Sequence, residues 1–360
     1  MSEWFQKYLL PGLVLQSIII GGGYGTGREL VEFFIQFGPL GALLGLFLSL
    51  IVVILTCMIS FELARKFQVY DYRSFFINLI GRGWILYETS YFIMALIALA
   101  VIGSAAGNFL METFAIPYAI GSISLLLAIA FFVFKGTKTI EKFLSIWSFV
   151  LYAVFLIFFV WSITKFGEQI KIIMGTGEIK DGWFSSGFRY GIFTIGFIPL
   201  MLFATKHIKH RSEAIWAGFF AGPLCMIPAI LFYFAMIAHY PSILDRPVPA
   251  NYILELLGSR KFQIFFQIML FGTLIETGSG IIHAFNERLA ESLVSKNQKL
   301  PDWVRPVIAI GMLLFAAGMA RIGIIDLIAK GYGAISWAWI IIVFIPLVTI
   351  GVAKIRKLSI

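Results

Sequence analysis

Residues 21–29 read Gly21-Gly22-Gly23-Tyr24-Gly25-Thr26-Gly27-Arg28-Glu29. They lie in the middle of an apolar run, 9–35, long enough to cross a bilayer. Five glycines in seven residues make poor helix, each costing about 1 kcal/mol relative to alanine. Backbone freed from a helix cannot face hydrocarbon, where its N–H and C=O groups find no water. It must line a cavity or be covered by other helices. The stretch is therefore expected to break the first span at mid-depth. A half-helix N-terminus there attracts an anion such as a carboxylate, and the carbonyls ending the other half attract a cation. Close helix packing through small residues is the simpler alternative. The charged residues Arg28 and Glu29 that follow the glycines favour the break. A nucleotide loop is excluded: the string is not GxGxxG, Gly27 is followed by Arg28 rather than Lys-Ser/Thr, and no strand precedes it.

The composition places this break in a membrane. The chain has 360 residues, 60% apolar and only 13% charged, against about 45–50% and about 25% in soluble domains. So few charges cannot coat a soluble globule, and the hydrophobicity excludes disorder. Cys57 and Cys225 both sit in apolar runs, so neither a disulfide framework nor a metal cluster is implied.

Ten runs are long enough to span, at 9–35, 39–64, 84–111, 117–134, 143–164, 184–204, 213–238, 261–290, 304–320 and 333–353. Their solid hydrophobicity indicates helices rather than barrel strands, so the fold class is all-α. The long first span after Lys7 is unlike a cleavable signal. With the N-terminus inside, 18 of the 28 Lys and Arg fall in the inner loops, among them Lys135, Lys138, Lys142, Lys296 and Lys299. The net charge of +9 thus reads as positive-inside bias, with both termini cytoplasmic in the cell membrane. It does not read as a nucleic-acid surface, which would need a soluble basic domain.

No linker divides the chain, so a single transmembrane domain is expected. The longest outer loops are 165–183 and 239–260, the second with a short helix starting near Pro249. Residues 75–81 suggest an interfacial helix and 322–330 a short amphipathic piece. Spans one and six open about half a chain apart. Five spans being odd, the second five (181–360) are inverted relative to the first (1–180), the arithmetic of an inverted repeat.

The string GGGYGTGRE resembles the Gly-x-Gly-aromatic-x-small-Gly-x-Glu signature of the YkvI-type membrane proteins, in the amino acid–polyamine–organocation (APC) superfamily with the leucine-transporter (LeuT) fold. The resemblance implies secondary transport of an amino acid or similar small solute, driven by Na⁺ or H⁺, with no other cofactor. Arg28 stands where a neutral residue is more usual in that signature.

Span six is the inverted mate of span one. Gly191, Gly196 and Pro199 interrupt it near mid-depth, either as a true unwinding or as a proline kink. By resemblance, Phe193, Thr194 and Gly196 join Gly21, Gly22, Gly23, Tyr24, Gly25, Thr26 and Gly27 in holding substrate, with carbonyls around 193–196 meeting an amine. Span eight carries Thr273, Glu276, Thr277, Gly280, His283 and Glu287 on one helical face. A mid-depth carboxylate costs about 2.5–3.5 kcal/mol on insertion scales, so Glu276 should face a cavity or a partner. It is read as a coupling residue, a proton carrier or a cation ligand, or as the static partner of Arg28. By resemblance, Thr273 and Thr277 are hydroxyls of a sodium site shared with span one. Arg28, Glu29 and Glu32 form either a gating ion-pair cluster or a stabilising one. Ser104, Asn108 and Glu112 either line an outer vestibule or bond helices together. Tyr91 is a candidate for the inner pathway, and His207 and His210 are expected in water.

The leading expectation is a secondary active transporter of an amino acid or amine. The alternative is a receptor on the same scaffold that binds ligand without moving it. An enzyme is disfavoured, because neither HExxH nor an Asp-rich metal motif is present. The partners implied are a small-molecule substrate and the bilayer.

Overall fold

Span one is not one helix. It is three pieces: α2 Leu10–Ile19, a single turn α3 Gly22–Gly25, and α4 Arg28–Phe33, preceded by the short α1 Glu3–Tyr8. The breaks fall at Ile20–Gly21 and at Thr26–Gly27. Gly27 has φ +79, a left-handed conformation that a side chain resists. The computed structural model describes residues 2–135, 137–294, 301 and 303–357. The expected loop lysines Lys296 and Lys299, and the side chains of Lys135, Lys138, Lys142 and Glu287, lie outside what is described.

The remaining elements follow the apolar runs. They are α5 Pro39–Phe67, α6 Tyr72–Ile80, α7 Trp84–Phe114, α8 Tyr118–Lys135, α9 Thr137–Gly175, α10 Trp183–Ile195, α11 Ile198–Met201, α12 Arg211–Ile237, α13 Pro249–Leu257, α14 Arg260–Val294, α15 Val304–Ala320, α16 Ile324–Asp326, α17 Gly333–Trp339 and α18 Val352–Lys357. Between α16 and α18 the backbone takes wider π turns at Leu327–Tyr332, Ile340–Phe344 and Leu347–Gly351. No strand occurs among the described residues.

Among the described residues, seven helical stretches are long and apolar enough to cross a membrane. Three shorter apolar helices, Leu10–Ile19, Tyr118–Phe134 and Val304–Ala320, stand where sequence places spans one, four and nine. Span one falls short by length because its glycines interrupt it. The outward faces are what lipid requires: Leu127, Leu314 and Ile341 are more than 60% exposed. The segment expected to be loop from residue 165 instead prolongs α9 to Gly175, through a non-helical Phe166. Its sequence, FGEQIKIIMG, keeps apolar residues at helical spacing, and the positive-φ Gly177 and Gly182 follow it. The short helices expected near 75–81 and Pro249 are present as α6 and α13.

Two groups of helices pack closely. In one, α5 meets α10 and α12, and α12 meets α2, which unites spans one, two, six and seven. In the other, α7, α8, α14 and α15 join spans three, four, eight and nine. In a bilayer, helices cohere by close backbone approach at small residues. Here Gly218 and Gly222 of α12 lie against α5, where an added Cβ would stand 2.5 Å from the Met58 nitrogen and 2.3 Å from an Ile54 side-chain carbon. On α10, a Cβ added to Gly187 would stand 2.6 Å from the Gly45 carbonyl oxygen of α5, and the Ser49 hydroxyl donates to the Gly187 carbonyl at 2.6 Å.

The loops sort onto two faces. Lys7 pairs with Glu213 at 2.9 Å, which holds the Lys7 ammonium above its ordinary pKa. Arg65 donates to the Lys209 carbonyl and Lys66 to that of Ile355. These contacts gather the N-terminus, the α5–α6 loop, the α11–α12 loop and the C-terminal helix on one basic face. On the opposite face Lys165 donates to the carbonyls of Leu256 and Leu257, and Arg260 to that of Thr113.

A branched residue at Gly222 should overpack the α5–α12 contact and cost about 1–3 kcal/mol. Thermal unfolding in detergent should show a lowered midpoint for Gly222→Val and little change for Gly311→Ala, whose added Cβ meets nothing within 4 Å. Equal midpoints would contradict the close-packed contact.

Candidate functional site

A cavity of about 910 Å³ enters from the basic face and ends at the break in span one. Its mouth carries Asp71, Tyr72, Arg73, Glu88 and Arg288, and its inner end is formed by Ile20, Pro199, Glu276 and Thr277. Glu276, Thr277 and Gly280, the three central members of the α14 polar stripe, thus share one wall. Thr273, one turn further in, is buried, and its hydroxyl donates to the Met269 carbonyl at 3.0 Å. Tyr91 also lines the cavity, as its sequence position suggested. The Arg288 guanidinium lies over the rings of both Tyr72 and Tyr91 at 4.2 Å.

Beyond the cavity end the break is packed and tied down. The Thr26 hydroxyl donates to the Gly23 carbonyl at 2.8 Å and accepts from the Arg28 N–H at 3.3 Å. The Thr26 carbonyl accepts from the Ala250 N–H of α13 at 3.0 Å. Span eight touches the break at Thr277, whose methyl and hydroxyl lie 3.4 and 3.7 Å from where a Cβ on Gly21 would stand. Spans one and eight are therefore in contact at Gly21 and Thr277.

Arg28 and Glu29 point to different places. The Arg28 guanidinium pairs with Glu32 at 3.0 Å and donates to the carbonyls of Leu244 at 2.5 Å and Arg246 at 3.2 Å. It pins α4 to the 239–248 loop and closes the opposite face over the break. It is not the partner of Glu276, so that sequence alternative is set aside. Glu29 does not join the Arg28–Glu32 pair with which sequence had grouped it. A single residue's advance along the helix rotates it about 100° from Arg28. It folds back, 4% exposed, over Gly23, its Oε2 2.8 Å from where a Cβ on Gly23 would be.

Span six breaks as expected. α10 ends at Ile195, and only the short α11 and a 3₁₀ turn, Leu202–Thr205, follow. Gly196 is required there: a Cβ would fall 1.9 Å from Trp339 Cε3. Its carbonyl, expected to face a substrate amine, accepts from the Tyr87 hydroxyl at 2.9 Å, and the Trp339 indole N–H donates to Ser90 at 2.9 Å. Phe193 stacks on Tyr332 (centroids 4.8 Å apart) and on Trp339 (5.7 Å), while Tyr332 Cε2 lies 3.5 Å from the Gly23 Cβ position. An aromatic wall of span-six and span-ten rings thus abuts the break. Sequence reasoning missed Tyr332 and Trp339, which carry no motif and read only as part of an apolar span.

Two sequence alternatives are decided. Ser104 and Glu112 bond elements together, the Tyr118 hydroxyl donating to Ser104 at 2.8 Å and Asn251 of α13 to Glu112 at 2.8 Å, while Asn108 donates back to the Ser104 carbonyl within α7. His207 and His210 are exposed, as expected. On the closed face, burial lowers the His239 pKa, and the Tyr240 hydroxyl, then Glu178, raise that of Lys180.

With this geometry the chain can be compared with known proteins. No family model matches. A curated relative, the uncharacterized membrane protein YkvI of Bacillus subtilis (strain 168), is 22% identical over 289 residues, covering 79% of this chain and 82% of the relative. Among solved structures, a Na⁺-coupled sialic acid symporter in its substrate-bound outward-open state superposes with a TM-score of 0.65 at 12% identity, covering 96% of this chain and 79% of that one. The Eremococcus coleocola manganese transporter superposes at 0.54 with 15% identity, covering 96% and 78%. The fold is therefore the LeuT type expected from the glycine string and the five-plus-five layout, and the resemblance to YkvI-type proteins has a matching relative.

The closed face and open cavity give an accessibility pattern. With native Cys57 and Cys225 both buried, Gly280→Cys should react with a membrane-impermeant thiol reagent added to the basic face of sealed vesicles and not from the other side. Labelling from the opposite face alone would contradict the closure at Arg28.

Proposed function

We propose that this chain is a secondary active transporter, not an enzyme. It moves an amino acid or similar small organic solute by alternating access, coupled to Na⁺ or H⁺. The observation that carries the reading is the cavity that runs from one face to the broken midpoints of spans one and six and stops there, with Arg28 closing the far side. A dead-ended vestibule at a midplane break suits occlusion and release, whereas a channel needs a continuous path. The shared fold with a symporter and a metal-ion transporter supports the same class.

On this reading substrate sits at 21–27 between span one and Phe193, Thr194 and Gly196 of span six. The coupling cation meets Thr277 and Glu276 where α14 faces the break, with Thr273 one turn away. Spans one, two, six and seven rock against spans three, four, eight and nine. Opening toward the opposite face parts Arg28 from the 244 and 246 carbonyls, and Tyr87 must release the Gly196 carbonyl before that oxygen can meet a substrate amine. The chain lies in the cytoplasmic membrane with both termini inside, following the basic-face asymmetry.

Purified protein in liposomes should accumulate a labelled amino acid or amine under a Na⁺ or H⁺ gradient. Absence of gradient-dependent uptake across a broad panel of both classes would count decisively against transport. Gly23→Leu should weaken substrate binding at least about tenfold, a loss of about 1.4 kcal/mol or more, because its side chain meets Glu29 and Tyr332. Binding unchanged in a folded Gly23→Leu protein would return the glycines to a packing role.

A further inference from the structure

Glu29 is a carboxylate buried at the break without a cation. No ion pair reaches it among the described residues, since Arg28 and Glu32 are paired with each other. Its electrostatic neighbours are phenols: Tyr24 on α3, Tyr190 on α10 and Tyr332 on the π turn before α17. Cys225 of α12 lies near both Tyr24 and Tyr190, and Arg189 interacts with Glu32 rather than with Glu29.

The surroundings are short of partners as well as of charge. The hydroxyls of Tyr24, Tyr190 and Thr194 are buried and form no hydrogen bond among the described residues, and each of these residues is 1% exposed. Tyr190 is close enough to Glu29 to interact, without forming a well-directed bond. Unsatisfied polar groups in a dry interior are costly, and an unpaired buried carboxylate is costlier still. A carboxylate so placed takes up a proton or a small cation, or it moves toward water.

We propose that Glu29 is the proton-binding group of the transport cycle. It holds a proton while the break is sealed from water, as here, and gives it up when the cavity reaches it. This rests on the transporter reading, whose coupling ion it specifies. A proton suits a carboxylate that is 4% exposed and folded over Gly23, with Ile328 and Tyr332 packed about the same position. The protonated carboxyl then donates one hydrogen bond and accepts others, so a small rotation of Tyr190 satisfies both groups. The chemistry balances as one O–H bond formed on Glu29 and one broken per cycle, with water on either face as the proton's source and sink. Glu276 has a different setting, half-buried on the cavity wall.

The test needs no known substrate. Infrared difference spectra of the reconstituted full-length protein, recorded through a pH titration with and without Na⁺, report the C=O stretch of protonated carboxyls. At neutral pH, where ordinary carboxyls are ionised, a protonated-carboxyl band that is lost on raising the pH should be present in wild type, absent in Glu29→Gln, shifted but present in Glu29→Asp and unchanged in Glu276→Gln. Persistence of the band in Glu29→Gln, or its loss in Glu276→Gln, would overturn the assignment. So would its abolition by Na⁺, which would make the site a sodium site. The transporter reading fails separately: a band that behaves as stated in a protein with no uptake leaves Glu29 protonated but not coupled. Once a substrate is found, one proton per cycle gives about tenfold accumulation per unit of pH gradient. Glu29→Gln should lose that accumulation and keep exchange of labelled for unlabelled substrate, a split that a folding defect does not produce.

Discussion

Everything in this molecule turns on one constraint: the backbone of residues 20–27 leaves the helix at mid-depth, where lipid offers its N–H and C=O groups no partner. The glycines make the departure inexpensive and the surrounding residues make it permissible. Thr26 bonds back to Gly23 and out to Ala250, Gly27 takes a left-handed turn with Met236 against it, and Gly21 faces Thr277. These neighbours come from α13, span seven and span eight, so the break organises contacts among elements far apart in sequence.

The constraint recurs with inverted sense in span six. There Gly196 yields to the Trp339 ring, and the freed carbonyl is taken by Tyr87. Both breaks face the closed end of one cavity. The helices that carry them belong to one packed group, α5 with α10 and α12, held by glycine-to-backbone approaches too close for sliding within the group. The second group, α7, α8, α14 and α15, is cemented by its own small residues, such as Gly107 against Tyr118. Motion is therefore expected between the groups, where the hydroxyl of Tyr87 on the Gly196 carbonyl is a reversible contact.

The fold was largely legible because membrane insertion writes it in composition. Long apolar runs, basic loops and one implausible run of glycines suffice for the class and for the broken first span. The face of α14 was legible for the same reason, since Glu276, Thr277 and Gly280 repeat at helical spacing. Side-chain direction was not. Arg28 and Glu29 are adjacent in sequence and were grouped together, yet one turns to the loop and the other into the interior, which only the start of α4 at Arg28 decides. Tyr332, Trp339 and Tyr87 went unnoticed because an aromatic in an apolar span gives no sign of whether it meets lipid or a break. The extra helix at 166–175 was hidden by its charges, which face water while its apolar side stays packed.

The central claim is that the two packed groups alternate around the break, with Arg28 as the closure of one face. Distances between spin labels measure this most directly, with one pair at Asp181 and Ala115 on the closed face and another at Lys209 and Arg82 on the basic face. All four residues are exposed. Removing the closure with Arg28→Ala should lengthen the first distance and shorten the second in the same molecules. If both distances stay as in the wild type, or if the first lengthens while the second does not change, the alternating account is wrong.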